Sequence, residues 1–484
     1  MNSLTLEQLI LLLPELLLLV LAVVIMLLPK QARGFAWVLA AGGLAVDTIM
    51  CLSLWGVDQL VLGGAFAINA FTVFVQVMLL GLALINIIGS YDFTNRLYRA
   101  REYYALLLCA MLGLLLIPGA TDFLTLVIAF ELSSLSTYTL PLIERDNPRG
   151  GEAALKYFLN GAFASALILY GLSLLYGFTG TLSIEGSAQV LDLLGLHPLP
   201  ILACVLMLAG FGYKMALVPM HNWAADVYQG SSSPTSGFLS GVTQKGAFIV
   251  AIKLLLVTYV AFSSFTALLF GLLCVVTMTV GNVLALRQKD VKRMIAYSSV
   301  AHAGNIGVGF AVGTTIGVAG SFVHILAHAL MTVGIFFALR LVWERKGGTS
   351  MEHFRGLGRQ MPALSAAMML ILFSYGGVPP LLGFWGKMIM VVAALGLGGW
   401  YTVLALVLVL NSALSLVYYA AVIREMYMRP AELPLLEQPA KASRGVGSYQ
   451  VALWLSVALL LGIGLLPNLL TELGLEAASA IWLW

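Results

Sequence analysis

The sequence predicts an all-α polytopic membrane protein with about fourteen transmembrane helices, and three observations predict it. Of 484 residues, 61% are hydrophobic and 10% are charged, against roughly 25% charged in an average soluble domain. The apolar residues fall into runs of about 20, the length that crosses a bilayer as a helix. The basic residues cluster in alternate connections between those runs. A soluble fold of this length could not hide so much apolar surface, so the solvent is lipid.

The segments lie near 7–29, 34–56, 70–91, 103–121, 123–143, 153–177, 199–229, 233–259, 265–287, 291–313, 316–343, 362–396, 400–428 and 447–471. The stretch before the first carries Glu7 and no base, so it lacks the positive region of a signal peptide and the first helix is expected to be retained. Lys30 and Arg33 fall between segments one and two, Arg96, Arg99 and Arg101 between three and four, and Arg145, Arg149 and Lys156 at the next such connection. Arg287 to Arg293, Arg340 to Arg359 and Arg424 to Arg444 complete the set, which holds 21 of the 25 Lys and Arg. The intervening connections hold none. That asymmetry is the positive-inside rule, and it places both termini on the outer side of an inner or other energy-coupling membrane. One inner connection, between segments seven and eight, offers Asp226 and no base.

Segments seven and twelve are over-long and interrupted, at Gly210 to Pro219 and at Gly376 to Pro380. Proline removes an amide donor and clashes with the preceding turn. Such breaks persist at membrane depth only where protein or a wet cavity meets the freed backbone groups. They fall fourth in two runs of five helices, segments 4–8 and 9–13, as in transporters built from inverted repeats. The expected organisation is a single membrane domain: an N-terminal unit over 1–100, repeats over 101–262 and 263–430, and a C-terminal helix over 431–484.

Four bases remain after the inner connections are removed: Lys214, Lys245, Lys253 and Lys387, all inside spans. A lysine at a helix centre costs roughly 2.5–3.5 kcal/mol on insertion scales, so four require a reason. A buried lysine beside a carboxylate can load and release a proton. Glu131 is the acid well inside a span; Glu15 and Asp122 sit near span ends and Asp47 is ambiguous. Lys214 and Lys387 flank the two breaks, with Lys245 on the helix after Lys214, so Glu131, Lys214, Lys245 and Lys387 form the expected proton path. The alternative for Glu131 and Lys214 is a fixed ion pair clipping two helices together. Lys253 lies roughly 12 Å beyond Lys245 along the helix axis and is expected to snorkel toward the outer interface. His324 and His328 share a helix face as auxiliary relays, or as core histidines satisfied by hydroxyls. His221 and His302 are read as lying near inner helix ends, where they would help proton entry, and His221 and Lys253 join His324 and His328 as candidate auxiliary relays. Two histidines on one helix with no third ligand in view do not make a metal site. Cys51, Cys109, Cys204 and Cys274 stand alone in apolar stretches as small core hydrophobes. The formal charge of +3 is dispersed and implies nothing about nucleic acid.

The stretch Gly210 to Gly230, GFGYKMALVPMHNWAADVYQG, resembles the conserved-type motif of N-type antiporter-like membrane subunits of respiratory complex I. Leu175 to Gly180, Val291 to His302 and Gly383 to Lys387 support the resemblance, which covers nearly the whole chain. It implies that Glu131 and Lys214 are the fifth-helix glutamate and broken-helix lysine, Lys245 the central lysine and Lys387 the exit lysine. It implies a proton-translocating subunit of an NADH:quinone oxidoreductase, without a redox centre or cofactor of its own. FMN, iron–sulfur clusters and quinone are expected in partner subunits. The expected partners are the M- and L-type antiporter-like subunits, the small K, J, A and H types, and lipid. Ala225 departs from the family's proline before Asp226, and the His324/His328 pair is more like the other large antiporter subunits. Alternatives are an Mrp-type cation/proton antiporter subunit, a membrane-bound hydrogenase subunit, and a scaffold whose buried ions only lock helices.

Overall fold

The computed structural model describes residues 6–29, 32–144, 147–195, 197–436 and 447–481. Lys30, Arg145, Lys441 and Arg444 of the basic connections lie outside the described residues, as does the side chain of Arg33. The chain runs through α1 (Leu13–Leu27), α2 (Arg33–Ser53), α3 (Ala70–Thr94), α4 (Ala100–Gly119), α5 (Phe123–Tyr138), α6 (Pro148–Thr179), α7 (Ile184–Leu194), α8 (Pro198–Met215) and α9 (Asn222–Gly230). It continues through α10 (Ser233–Thr258), α11 (Ser263–Leu286), α12 (Val291–Val312), α13 (Thr315–Lys346), α14 (Pro362–Gly376), α15 (Leu382–Leu397), α16 (Trp400–Met428), α17 (Gly447–Leu465) and α18 (Pro467–Ala480).

Among the described residues, 11 helices are long and apolar enough to cross a membrane, and α1, α14 and α15 are shorter apolar helices. Each of the fourteen expected segments coincides with helix. Segment seven is α8 plus α9, and segment twelve is α14 plus α15. α12 spans 22 residues but opens on Lys292 and Arg293 and carries Ser298, Ser299, His302 and Asn305, so its composition is the most polar of the set.

Three elements were not foreseen. A hairpin pairs β1 (Gln59–Val61) with β2 (Phe66–Ile68). Helix α7 is capped by Ser183, whose hydroxyl accepts from the Gly186 amide. Helix α18 begins on Pro467 after the last span. The hairpin, the α4–α5 connection and the start of α7 knit one face: the Thr121 amide donates to the Ala65 carbonyl and the Phe123 amide to the Leu182 carbonyl.

The opposite face gathers the basic connections, and every ion pair among the described residues lies there. Arg96 and Arg340 meet Glu344 at 2.8 and 2.7 Å, and Arg355 meets Glu425 at 3.1 Å. Asp226, the acid in the connection without a base, joins two neighbours: Lys156 lies 2.7 Å and Arg293 2.8 Å away. That connection is therefore neutralised from both sides by α6 and α12.

Burial in lipid gives no hydrophobic drive between helices, so close backbone packing at small residues takes its place. A Cβ on Gly281 of α11 would lie 2.5 Å from the Ala301 amide nitrogen of α12, and one on Gly304 would lie 2.6 Å from the Met278 nitrogen. These contacts are to backbone and cannot turn aside. The two most enclosed helices are α10 and α13, whose apolar windows are each 94% buried. They carry Lys245, His324 and His328.

Gly281→Val should wedge α11 from α12 and lower stability by about 1–3 kcal/mol or more. Gly177→Ala, where nothing lies within 4 Å of the added methyl, should leave it unchanged or slightly raised. Thermal denaturation of the purified membrane protein compares the two.

Candidate functional site

The two breaks are built alike. After α8, Ala216 adopts a left-handed conformation (φ 62), and after α14, Gly377 does the same (φ 81). The Leu217 amide reaches back to the Gly212 carbonyl and the Val378 amide to the Phe373 carbonyl, at 2.9 and 3.0 Å. The preceding amides, of Ala216 and Gly377, donate to Tyr213 and Ser374 at 2.9 and 3.0 Å. This is the Schellman pattern that ends helices, here used inside a span.

Carbonyls left over at each break are met by side chains. At the first, the Gln244 side-chain amide donates to the Met215 carbonyl at 2.8 Å and the Trp223 indole to the Tyr213 carbonyl at 2.8 Å. The Thr277 hydroxyl accepts from the Val218 amide at 3.0 Å. At the second, the Lys387 amine itself donates to the Tyr375 carbonyl at 2.9 Å. A cation at the C-terminal end of a half-helix also complements its dipole.

Lys214 is buried on the last turn of α8. Its amine donates to the Tyr157 hydroxyl at 2.7 Å and the Thr137 hydroxyl at 3.2 Å. It lies 5.2 and 4.8 Å from the Tyr138 and Tyr157 ring centres, which adds cation–π attraction. Glu131 does not close an ion pair with it: among the described residues no carboxylate oxygen lies within 4 Å of this amine, and Glu131 accepts instead from the Ser165 hydroxyl at 2.6 Å. Hydroxyls of α5 and α6 therefore take the place of the fixed ion-pair clip.

Lys245 sits just after a π-helical stretch of α10, Leu239–Thr243, a distortion frequent at functional sites. It is fully enclosed. Its amine is 2.6 Å from His328 Nδ1 and 3.1 Å from the Gln244 side-chain oxygen. The far nitrogen of His328 is 3.5 Å from the Thr332 hydroxyl, which lies 2.9 Å from the Tyr375 hydroxyl. Tyr375 in turn carries the carbonyl that receives Lys387. A file of side chains able to donate and accept thus runs from α10 through α13 to the Tyr375 hydroxyl, on the residue whose carbonyl accepts from Lys387 at the second break.

A branch leaves this file at His302. Its Nδ1 is 3.1 Å from His324 Nε2 and its Nε2 is 3.3 Å from the Tyr419 hydroxyl, which meets Ser298 at 2.5 Å. The His302 and His328 ring centres are 4.9 Å apart. His302 is therefore not near a helix end, as its sequence position suggested, but at the centre of the cluster with 1% exposure. Although three histidines meet there, no group of three or more His, Cys, Asp or Glu among the described residues is arranged to hold a metal ion. His324 packs against α15, where a Cβ on Gly386 would lie 2.7 Å from its own Cβ; only glycine lets the helix bearing Lys387 approach.

Two predicted residues stand apart. His221 heads α9, buried, with no partner for Nδ1 among the described residues, and among them it makes no hydrogen bond to either lysine cluster. Lys253 reaches the hairpin face as a snorkelling side chain would, but stays covered: its amine donates to the Ala120 carbonyl at 2.8 Å. It lines a cleft of about 340 Å³ with Thr121, Asp122, Ser183 and Glu185. Residues that sequence reasoning missed are Tyr157, Tyr375, Tyr419, Thr332 and Gln244, which carry no charge and so left no trace in a charge census.

The family model described as NADH:quinone oxidoreductase/Mrp antiporter, TM, matches residues 120–415, which include both breaks and all four lysines. The chain is 39% identical to F(420)H(2) dehydrogenase subunit N of Methanosarcina mazei, over 98% of this chain and 99% of that protein. It is 34% identical to NADH-quinone oxidoreductase subunit N of Trichlorobacter lovleyi, over 97% and 96%. A chain in respiratory complex I from Thermus thermophilus with bound aureothin superposes with a TM-score of 0.78 at 32% identity, covering 95% of this chain and 98% of that one. With its buried lysines, broken helices and end-to-end match, the chain belongs to the family of proton-translocating, antiporter-like N subunits of the complex I type.

Proposed function

We propose that protons cross this subunit along Glu131, Lys214, Lys245 and Lys387, with His328, His324 and His302 as imidazole relays and Thr332 and Tyr375 as the hydroxyl bridge. The observation that carries the reading is the file of side chains Lys245–His328–Thr332–Tyr375, spaced 2.6–3.5 Å apart, which ends at the residue whose backbone carbonyl accepts from Lys387 at 2.9 Å. Each side-chain member can both lose and gain a proton or reorient a hydroxyl. Lys214 donates to two hydroxyls and no carboxylate, so a change in the position of Glu131 alters its charge balance without first breaking a contact ion pair. Met215 and Gln244 join the Lys214 helix to Lys245. His221 and Lys253 lie off this file, Lys253 at a cleft that opens on the hairpin face.

The subunit's role is then to move protons while quinone is reduced elsewhere in a larger redox complex. FMN, iron–sulfur clusters and quinone belong to partner subunits in this reading, and the M-, L- and small-type membrane subunits are the neighbours. That relatives of similar length are named for F(420)H(2) and for NADH supports a membrane unit indifferent to the donor. The clustering of ion pairs on one face supports a cytoplasmic basic side, both termini on the other, and residence in an energy-coupling cell membrane. The shared motif at the two breaks supports repeats over 101–262 and 263–430.

Removing a positioned proton-transfer group costs roughly 10²–10⁴-fold in a chemical step. Lys214→Ala in the intact complex should therefore lower proton release coupled to quinone reduction at least about tenfold, with assembly preserved. Proton-to-electron ratios in vesicles measure it, and an unchanged ratio would sink the path. Tyr375→Phe keeps the ring and the carbonyl that receives Lys387 but deletes the hydroxyl bridge. It should slow coupled proton release without loss of complex in the membrane, whereas a purely structural role for Tyr375 predicts lost stability with unaltered coupling.

A further inference from the structure

Two carboxylic acids outside the proton file lie in the N-terminal helices. Glu15 stands in the first turn of α1 and Asp47 on α2, and both are buried, at 6% and 0% exposure. Glu15 is provided for. One oxygen accepts from the Gln76 side-chain amide of α3 at 2.7 Å, the same amide donates to the Leu115 carbonyl of α4 at 3.0 Å, and the N-terminal end of a helix favours an anion. Asp47 has none of this. Among the described residues neither of its oxygens has a hydrogen-bond partner, and it lies in the C-terminal half of α2, where the helix dipole opposes negative charge.

Among the described residues, the surrounding elements place no cation near Asp47. α1 carries Glu15 as its charged residue, and α2 carries Asp47, with Cys51 one turn further and Arg33 at its opposite end, fourteen residues or about 21 Å along the axis. On α3 the nearest polar group is Gln76, and Asp92 is at the far end. Arg101 and Glu102 of α4 are also at the far end, where Arg101 donates to the Leu28 carbonyl beyond the end of α1. An unpaired carboxylate so placed would be an uncompensated charge in an apolar interior, which proteins avoid by neutralising the group.

We propose that Asp47 is a proton-binding site separate from the central file, its buried and unpartnered carboxyl holding a proton. A neutral carboxyl removes the buried negative charge that no partner among the described residues offsets. The site thus stores one proton among the first three spans, away from the broken helices.

Infrared difference spectra of the purified complex, wild type minus Asp47→Asn at neutral pH, decide it. The expected result is loss of a protonated-carboxyl C=O stretch that shifts in D₂O, with Asp47→Asn assembling at the wild-type level because an amide reproduces the shape of a neutral acid. Loss of a carboxylate band instead, or failure of Asp47→Asn to assemble while Glu15→Gln does, would overturn the proposal. Spectra taken with sodium chloride and with choline chloride separate the proton from a metal cation: a band that moves with sodium makes this a sodium site and likewise overturns it.

Discussion

The constraint on which the rest depends is that a backbone amide or carbonyl set free inside lipid must find a partner, because no water is there to supply one. Two spans are interrupted, and each interruption frees carbonyls at mid-depth. The chain answers with side chains from neighbouring helices: Gln244 and Trp223 at the first break, Lys387 at the second. Gln244 adjoins Lys245, and Tyr375, whose carbonyl accepts from the Lys387 amine, bears the bridging hydroxyl. The groups that hold the broken backbone together are thus the groups, or the immediate neighbours of the groups, that line the file. On the proposed path, structure and transport share the same hydrogen bonds.

A second consequence concerns how buried charge is accommodated. Every ion pair among the described residues sits on the basic face, while the lysines at depth are surrounded by hydroxyls, imidazoles, a carboxamide and carbonyls. A contact pair between carboxylate and ammonium in a low dielectric is hard to separate, so it would hold a proton in place. Hydroxyls and neutral imidazoles satisfy an ammonium with less attraction and can also pass a proton on. The absence of a closed Glu131–Lys214 pair is therefore what a transfer path requires, and a scaffold built only to lock helices would have favoured the closed pair.

Much of this was legible in the sequence because charge in lipid is rare enough to count. Subtracting the basic connections isolated Lys214, Lys245, Lys253 and Lys387, and Gly and Pro marked both breaks. What escaped had no such signal. Ala216 adopts a left-handed conformation that alanine seldom takes, so nothing in its identity announced the turn. His302 is eleven residues into α12, and its centrality depends on α12 lying against α13, a packing choice made by Gly281 and Gly304. Asp226 looked isolated because its partners, Lys156 and Arg293, are 70 and 67 residues away in sequence. Helix α7 is short and amphipathic, below the length that a span-by-span reading detects.

The two breaks also differ in a way that their shared motif makes measurable. With Ala216 and Gly377 set as equivalent, Lys214 and Tyr375 each precede the turn by two residues, and Asp226 and Lys387 each follow it by ten. The lysine has changed sides of the break between the halves. But the halves also run in opposite directions: α8 descends from the hairpin face to its break, whereas α14 rises from the basic face and α15 continues toward the hairpin side. Moving the lysine across the turn therefore leaves Lys214 and Lys387 on the half-helix nearer the same face. The partner half-helices carry Asp226, tied to the basic face by Lys156 and Arg293, and Tyr375, tied to the file by Thr332. A membrane potential acts on charge by depth and not by position in the chain, so keeping both lysines on one side of their breaks gives both halves the same electrical polarity despite their inverted course.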